Sequence, residues 1–584
     1  MNKITTMLTA IMFFSTMVHA TEFKAGTYLG TSDGYKGEIK VEVKLGKNKI
    51  EDIKIIKNGD TPIISDSALN ILPSKILNLQ GLGVDTVAGA TGTSKGFISA
   101  VTKAIKSSGA DTSELRKIKE TKKQFSNKVI NHENDVVIVG AGGAGLIAAI
   151  EAKLAGANVI IIEKMSFPGG NTLISGAEYA APENWIQKKV GISDSKEQFY
   201  KDIIKGGDNQ ADINLIKVLA DNALDGALWL RDFVNVSFED RQMFFGGHSV
   251  ERSLVPEGAS GVELIGKLLK KAKDLNIPIV YNMNANELIL DNTGKVIGVQ
   301  AVSETETNKY LAKNGVILAT GGFGSNLEMR MKYNTAMDEN ILSTNTTGIT
   351  GDGIVMAEKI GAGVTDMEYI QTYPTCDPMT GALLYIGDVR LIGGSILVNK
   401  EGKRFVEELD RRDVISMAIK KQTGNVAYQF WNQEMMDLSK VAEHHSDEYN
   451  SLIKRKVLIK GNTIEEVAKA FDVDATELKN TVQKYNQYSK DGKDLEFNKR
   501  GKLTAFENGP FYLMKNVPAV HHTMGGLTID TNARVLDNNK KPIPGLFAAG
   551  EVTGDIHGTN RLGSNAISDI TVFGRVAGKN VVNN

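Results

Sequence analysis

Asp135-Val-Val-Ile-Val-Gly-Ala-Gly-Gly-Ala-Gly145 decides the fold class of this chain. An apolar strand runs into glycines spaced GxGxxG, and an Ala-rich stretch of helical composition follows. Ala157-Asn-Val-Ile-Ile-Ile-Glu163 then reads as a second strand with an acid at its end. Strand, glycine turn, helix and acid-tipped strand in that order form a βαβ nucleotide-binding unit. Gly140, Gly142 and Gly145 let the backbone approach a pyrophosphate at the helix N-terminus, and Glu163 accepts from ribose hydroxyls. A bare strand–helix turn would explain the glycines alone but not the acid at its proper distance.

Two further apolar strands ending in glycines lie far downstream, Gly315-Val-Ile-Leu-Ala-Thr-Gly-Gly-Phe-Gly324 and Ile543-Pro-Gly-Leu-Phe-Ala-Ala-Gly-Glu551. Nucleotide-binding pieces so widely spread imply one domain, 131–368 and 520–584, interrupted by an insertion at 369–519. Upstream, alternating stretches such as Ile39-Lys-Val-Glu-Val43 read as half-buried antiparallel strands of a small α+β domain, 21–108. Highly charged residues 109–130 read as a linker.

The first twenty residues read as an export signal to the periplasm. Lys3 gives a positive start, residues 7–18 are apolar, and Val18-His19-Ala20 is a small-residue cleavage site. A buried strand or a membrane anchor is the competing reading, but a spanning helix needs roughly 20 apolar residues. The 584 residues predict two to four domains. A net charge of −1 gives no reason to expect nucleic acid as a partner. A single cysteine, Cys376, excludes disulfide frameworks, CxxC metal sites and CxxCH haem attachment, so no metal site is expected.

Taken together, Gly169-Gly-Asn-Thr172, the motifs at 319–324 and 545–554, and His557-Gly-Thr-Asn-Arg-Leu-Gly-Ser-Asn-Ala-Ile-Ser-Asp569 resemble the soluble fumarate reductase flavoprotein family. The resemblance covers 131 to the end. It implies an α/β, Rossmann-like FAD-binding domain of glutathione-reductase type, interrupted by an α+β clamp domain that closes over the flavin ring. Implied non-covalent FAD contacts are Gly140, Gly142, Gly145, Glu163, Asn171, Thr172, Gly176, Asp352, Glu551, Ser564, Asn565, Ala566 and Ile567, with His522 touching the flavin through its backbone.

The N-terminal domain resembles the α+β FMN-binding module of respiratory flavoproteins. Its attachment motif reads here Asp85-Thr-Val-Ala-Gly-Ala-Thr91, with Ala88 where Ser or Thr is commoner. The resemblance implies covalent FMN, joined as a phosphoester to Thr91 by an FMN transferase. It also implies a membrane quinol-oxidising cytochrome, or another periplasmic protein, as electron donor. A flexible glycine turn is the alternative reading of this stretch.

Hydrogenating an activated alkene requires a hydride on one carbon and a proton on its neighbour. The family uses an arginine as the acid, in a motif that reads here Gly402-Lys-Arg-Phe-Val406, then Arg411-Arg412-Asp413. Of the two adjacent arginines, Arg412 keeps the family interval. The resemblance implies that Arg561 and His521 bind the substrate carboxylate, since the interval between them selects His521 over His522. An arginine fork matches a carboxylate bidentately.

Two departures bear on the substrate. The family's fumarate reductases carry His-Pro-Thr where this chain has Tyr373-Pro-Thr375, and Thr-Glu where it has Gly387-Asp388. Donors for a second carboxylate are thereby lost and a negative charge kept. The pattern is similar to that of the family's urocanate-reducing members, whose substrate is an acrylate bearing an imidazole ring. Asp388 and Tyr373 would read the ring nitrogens, and Phe244 and Phe245 are candidates for its face. Leu391 replaces a family relay arginine, with Arg390 beside it. The expectation is a periplasmic urocanate reductase. The alternatives are a reductase of another acrylate or of fumarate, and a flavin electron carrier with no alkene substrate.

Overall fold

The computed structural model describes residues 22–121, 124–126, 128–392, 394–501 and 503–583. The export-signal reading falls outside them. The chain divides into two compact units, one running to Lys122 apart from Pro62–Ile64, the other comprising Pro62–Ile64 and the chain from Lys123 onward.

In the first unit, strands Gly26–Asp33, Glu38–Leu45 and Ile50–Asn58 form an antiparallel sheet in sequence order. Ile39, Val41, Val43 and Leu45 alternate inward while Lys40, Glu42 and Lys44 face out, the period of a half-buried strand. The helix Thr91–Ser107 packs on this sheet through Phe97, Ala100, Val101, Ala104 and Ile105. Gly30 permits the approach, since a Cβ there would lie 2.0 Å from the Ala100 carbonyl oxygen.

In the second unit, the strand Val129–Val139 pairs in parallel with Val159–Ile162 on one side and Thr307–Leu318 on the other. Pro542–Ala548 joins the same sheet, parallel to Thr307–Leu318. These strands carry unbroken apolar runs, as sheets covered on both faces do. The helices Gly143–Leu154 and Asn565–Val582 cross closely because of small residues. A Cβ on Gly578 would sit 2.4 Å from the Ala148 oxygen.

A second sheet gathers on the long strand Phe511–Thr523, which pairs with Leu342–Ser343, Ile370–Cys376, Ala427–Asn432 and Leu458–Gly461. Its first half lies in a separate core around Phe430, Trp431, Leu513 and Met514. Its last residues include His521 and His522. The border expected at 519/520 therefore lies inside one continuous strand.

Candidate active site

One cavity of about 1720 Å³, open mouth included, takes in residues from every nucleotide-binding motif and from the second sheet. At its glycine-rich wall, Gly142 caps the helix Gly143–Leu154, so the unpaired first-turn N–H groups face the cavity. A Cβ on Gly142 or Gly170 would meet nothing closer than 4.0 or 3.8 Å and would fill that cradle. Gly140 adopts φ +106° with the Ala319 oxygen 2.3 Å from a Cβ position, a site only glycine fits. Gly145 does not line the cavity; it seats the helix, a Cβ there falling 2.0 Å from the Gly140 oxygen.

Glu163 lines the cavity with both carboxylate oxygens engaged, accepting from Ala141 N and Met165 N at 2.8 Å each. Burial raises its pKa. The Asn171 amide donates to Asn345 and accepts from Thr346 N. Asp352 is held by Lys164 Nζ at 2.6 Å, and Glu551 accepts from Thr523 N at 3.0 Å. Thr172, Gly176, Ser564, Ala566 and Ile567 complete this wall. Asn565 does not line it; its amide is buried with neither atom partnered. The Thr320 hydroxyl on the cavity wall is likewise buried and unpartnered. An N–H cradle, open glycine faces and an orphaned hydroxyl fit a dinucleotide such as FAD.

The far wall has a different chemistry. Tyr373 donates its hydroxyl to Asp388 Oδ1 at 3.0 Å. The His521 ring lies 5.2 Å from the Tyr373 ring, its Nδ1 3.0 Å from Thr344 Oγ1. Arg412 spreads its guanidinium over Tyr373 at 4.9 Å and Phe245 at 5.5 Å. Its Nη1 is buried without a partner. Arg561 donates to Gln371 Oε1 at 2.9 Å and to Leu562 O, and its Nε is buried without a partner.

Burial depresses Arg561 to about 9, with the Arg412 charge acting in the same direction. Burial, then the Arg561 charge, holds His521 and His522 far below the usual histidine range, so both imidazoles are neutral. Burial raises Asp388 to about 6, against the opposing pull of Arg390.

The adjacent arginines separate cleanly. Arg411 turns away, bidentate to Asp413 and paired with Asp208 at 2.6 Å, while Arg412 lines the cavity. His522 reaches the cavity with its ring 3.9 Å from Glu551 Oε2. Phe245 lines the cavity, whereas Phe244, Arg390 and Leu391 line a smaller one behind Arg412. Arg390 donates to the Glu408 carbonyl at 2.6 Å.

Sequence reasoning missed Glu178. It lines the cavity, and burial raises its pKa to about 7, helped by the Asp388 charge. A lone acid between Gly176-Ala177 and Tyr179-Ala180 was the available signal, because such runs hold a charge only where it is used. Tyr385, whose hydroxyl donates to the Ile174 carbonyl at 2.7 Å, was missed as well.

In the first unit, Thr91 is the exposed first residue of its helix. Asp60 organises the neighbouring turn, accepting from Tyr35 N, Lys36 N, Gly37 N and the Thr93 hydroxyl.

The FAD binding domain family matches residues 135–567 and the FMN-binding domain family matches 34–106. The urocanate reductase of Eggerthella lenta is 48% identical over 97% of this chain and 94% of its own length. The chain belongs to the soluble fumarate reductase flavoprotein family. A cytochrome-type fumarate reductase of Shewanella frigidimarina is 40% identical over 76% of each chain. The open conformation of a flavocytochrome c3 fumarate reductase superposes with a TM-score of 0.67 at 39% identity, covering 77% of this chain and 78% of that one. As a member of this family with an N-terminal FMN-binding domain, the protein is a flavin-dependent oxidoreductase acting on CH–CH groups.

Proposed function

We propose that this protein is a periplasmic reductase of urocanate, converting its C=C bond to the saturated imidazole propionate with two electrons and two protons. One observation carries the choice of substrate. The wall that holds Arg412 and Arg561 also holds two carboxyls, Asp388 and Glu178, and two tyrosines, Tyr373 and Tyr385, but no second cluster of cationic donors among the described residues. A dicarboxylate would meet like charge there, whereas an imidazole N–H meets acceptors. The similarity to the Eggerthella lenta urocanate reductase agrees.

In this reading Arg561 and neutral His521 hold the substrate carboxylate, as an arginine fork and an N–H donor can. Asp388 accepts from the ring N–H, oriented by Tyr373. Arg412 delivers the proton to the alkene carbon. It is recharged by Glu178, whose pKa near neutrality suits proton exchange. FAD held along the glycine-rich wall would supply the hydride, and FMN held by the N-terminal domain would serve as an electron carrier.

Covalent FMN at Thr91, installed by a transferase after export, and a cytochrome or other periplasmic donor complete the proposal. The motif at 85–91 and the exposure of Thr91 support it. Mass spectrometry of protein matured beside the transferase should find the Thr91 peptide heavier by one FMN phosphoester; an unmodified peptide would remove this part. Anaerobic oxidation of a reduced dye tests the activity. Urocanate should be turned over faster than fumarate, acrylate or cinnamate, and a preference for any of the others would reassign the substrate.

A further inference from the structure

Asp208 lies outside the cavity, yet it touches the immediate surroundings of both substrate arginines. Its Oδ1 accepts from Arg411 Nη1 at 2.6 Å. Its Oδ2 accepts from the Thr559 hydroxyl. Arg411 directly precedes Arg412, and Thr559 stands two residues before Arg561. Arg412 begins the helix Arg412–Lys420, which belongs with the second sheet's side of the molecule. Arg561 comes from the loop that leads into the last helix of the nucleotide-binding core.

The turn carrying Asp208 is built to dock on that loop. Gly206 and Gly207 precede it, and a Cβ on Gly207 would lie 2.4 Å from the His557 oxygen. A Cβ on Gly206 would lie 2.4 Å from a Leu562 methyl carbon. Gly558 makes the reciprocal approach, a Cβ there falling 2.3 Å from the Gly207 oxygen. Thr559 N donates to Gly207 O at 3.2 Å, and the Asn560 amide donates to Gly206 O at 3.3 Å. Backbone thus lies against backbone along Gly206–Asp208 and His557–Asn560. Asp208 and Asn209 both take positive φ, +56° and +60°, which aims the carboxylate outward from this docked turn toward Arg411.

We infer that Asp208 is a positioning residue that sets the separation of Arg412 and Arg561, by tying Arg411 to the Thr559 loop. The inference rests on the assignment of those two arginines to the substrate. The tie is a charge-assisted bridge at a half-exposed site. The Arg411 side chain keeps 26% of its surface exposed and Asp208 46%, so the bridge contributes little to global stability. Its effect is geometric: a proton donor and a carboxylate clamp must be in register, and a small displacement is costly in rate. The bidentate Arg411–Asp413 pair fixes the arginine's other edge, which leaves Nη1 aimed at Asp208.

The test is a double-mutant cycle on full-length, FAD-loaded protein. Asp208→Ala and Arg411→Ala should each lower kcat/KM for the alkene roughly three- to tenfold, with FAD content unchanged. The double variant should fall no further than either single one, and Asp208→Glu should recover most of the loss. Raising the salt from 0.05 to 0.5 M, where the Debye length shortens to a few ångströms, should narrow the gap between wild type and Asp208→Ala. Additive losses, a salt-independent gap, wild-type activity in Asp208→Ala, or loss of FAD with activity would each overturn the bridge. Failure of the underlying assignment reads differently: Arg412→Ala would then retain turnover, whatever the coupling between Asp208 and Arg411.

Discussion

Arg252 and Arg404 are as buried as Arg561, at 0%, 6% and 5% exposure, but they live in a different electrostatic world. Arg252 donates to both oxygens of Asp194 at 2.9 Å and to Asp202 at 2.6 Å. Arg404 is forked on Glu408 at 2.8 and 2.9 Å and on Asp494 at 3.1 and 2.9 Å. Arg412 and Arg561 have no carboxylate within hydrogen-bonding distance among the described residues, and each leaves a buried nitrogen unpartnered. A buried charge is tolerable when its donors are satisfied and costly when they are not. The first pair is structural, its bonding complete within the fold. Arg561, and the buried Nη1 of the half-buried Arg412, carry the desolvation cost of unmade bonds, which a bound substrate can complete.

The strongest way to break this comparison is to remove the unpaired arginine that lines the cavity. Arg412→Ala should lower turnover by at least the ~10²–10⁴-fold typical of a lost general acid, with FAD retained, as steady-state assay and flavin absorbance would report. An active Arg412→Ala beside a dead Arg411→Ala would move the acid by one residue.

Stability sharpens the contrast, because only the first set should destabilise when its arginine is removed. Arg252→Met strands Asp194 and Asp202 together in the core and should cost about 3–5 kcal/mol in denaturant unfolding. Arg412→Met in substrate-free protein removes an unsatisfied charge and should leave stability unchanged or higher. Equal destabilisation by both would show that Arg412 has partners the comparison assigns only to Arg252.

The glycine-led nucleotide core was legible in the sequence because its constraints are local. Gly145 is fixed by the approach of the Gly140 oxygen, five residues away, and the apolar runs of Val136–Val139 and Val159–Ile162 state their own burial. Separating Arg411 from Arg412 needed motif spacing in the sequence and is a matter of direction in the structure, since consecutive residues at a helix start point different ways. Glu178 gave only the weak signal of a lone acid in an apolar run, because its significance comes from Asp388 and Arg412, more than two hundred residues away. Asp208 was illegible for the same reason, its partners being Arg411 and Thr559. The 519/520 border was placed from the spread of nucleotide-binding pieces along the chain, which does not register that the strand Phe511–Thr523 serves two cores at once.

The most direct test of the account is Asp388→Ala assayed with urocanate and with plain acrylate across pH. Asp388 is raised to about 6, so it is ionised and able to accept above that pH and protonated below it. The account predicts that kcat/KM for urocanate in the wild type falls as pH drops through about 6. In the variant, urocanate should lose roughly 1.5–3 kcal/mol, about 10- to 150-fold, and acrylate should change little. If both substrates slow equally and the acid limb remains, Asp388 serves proton supply to Arg412 instead, and the recognition of an imidazole ring is contradicted.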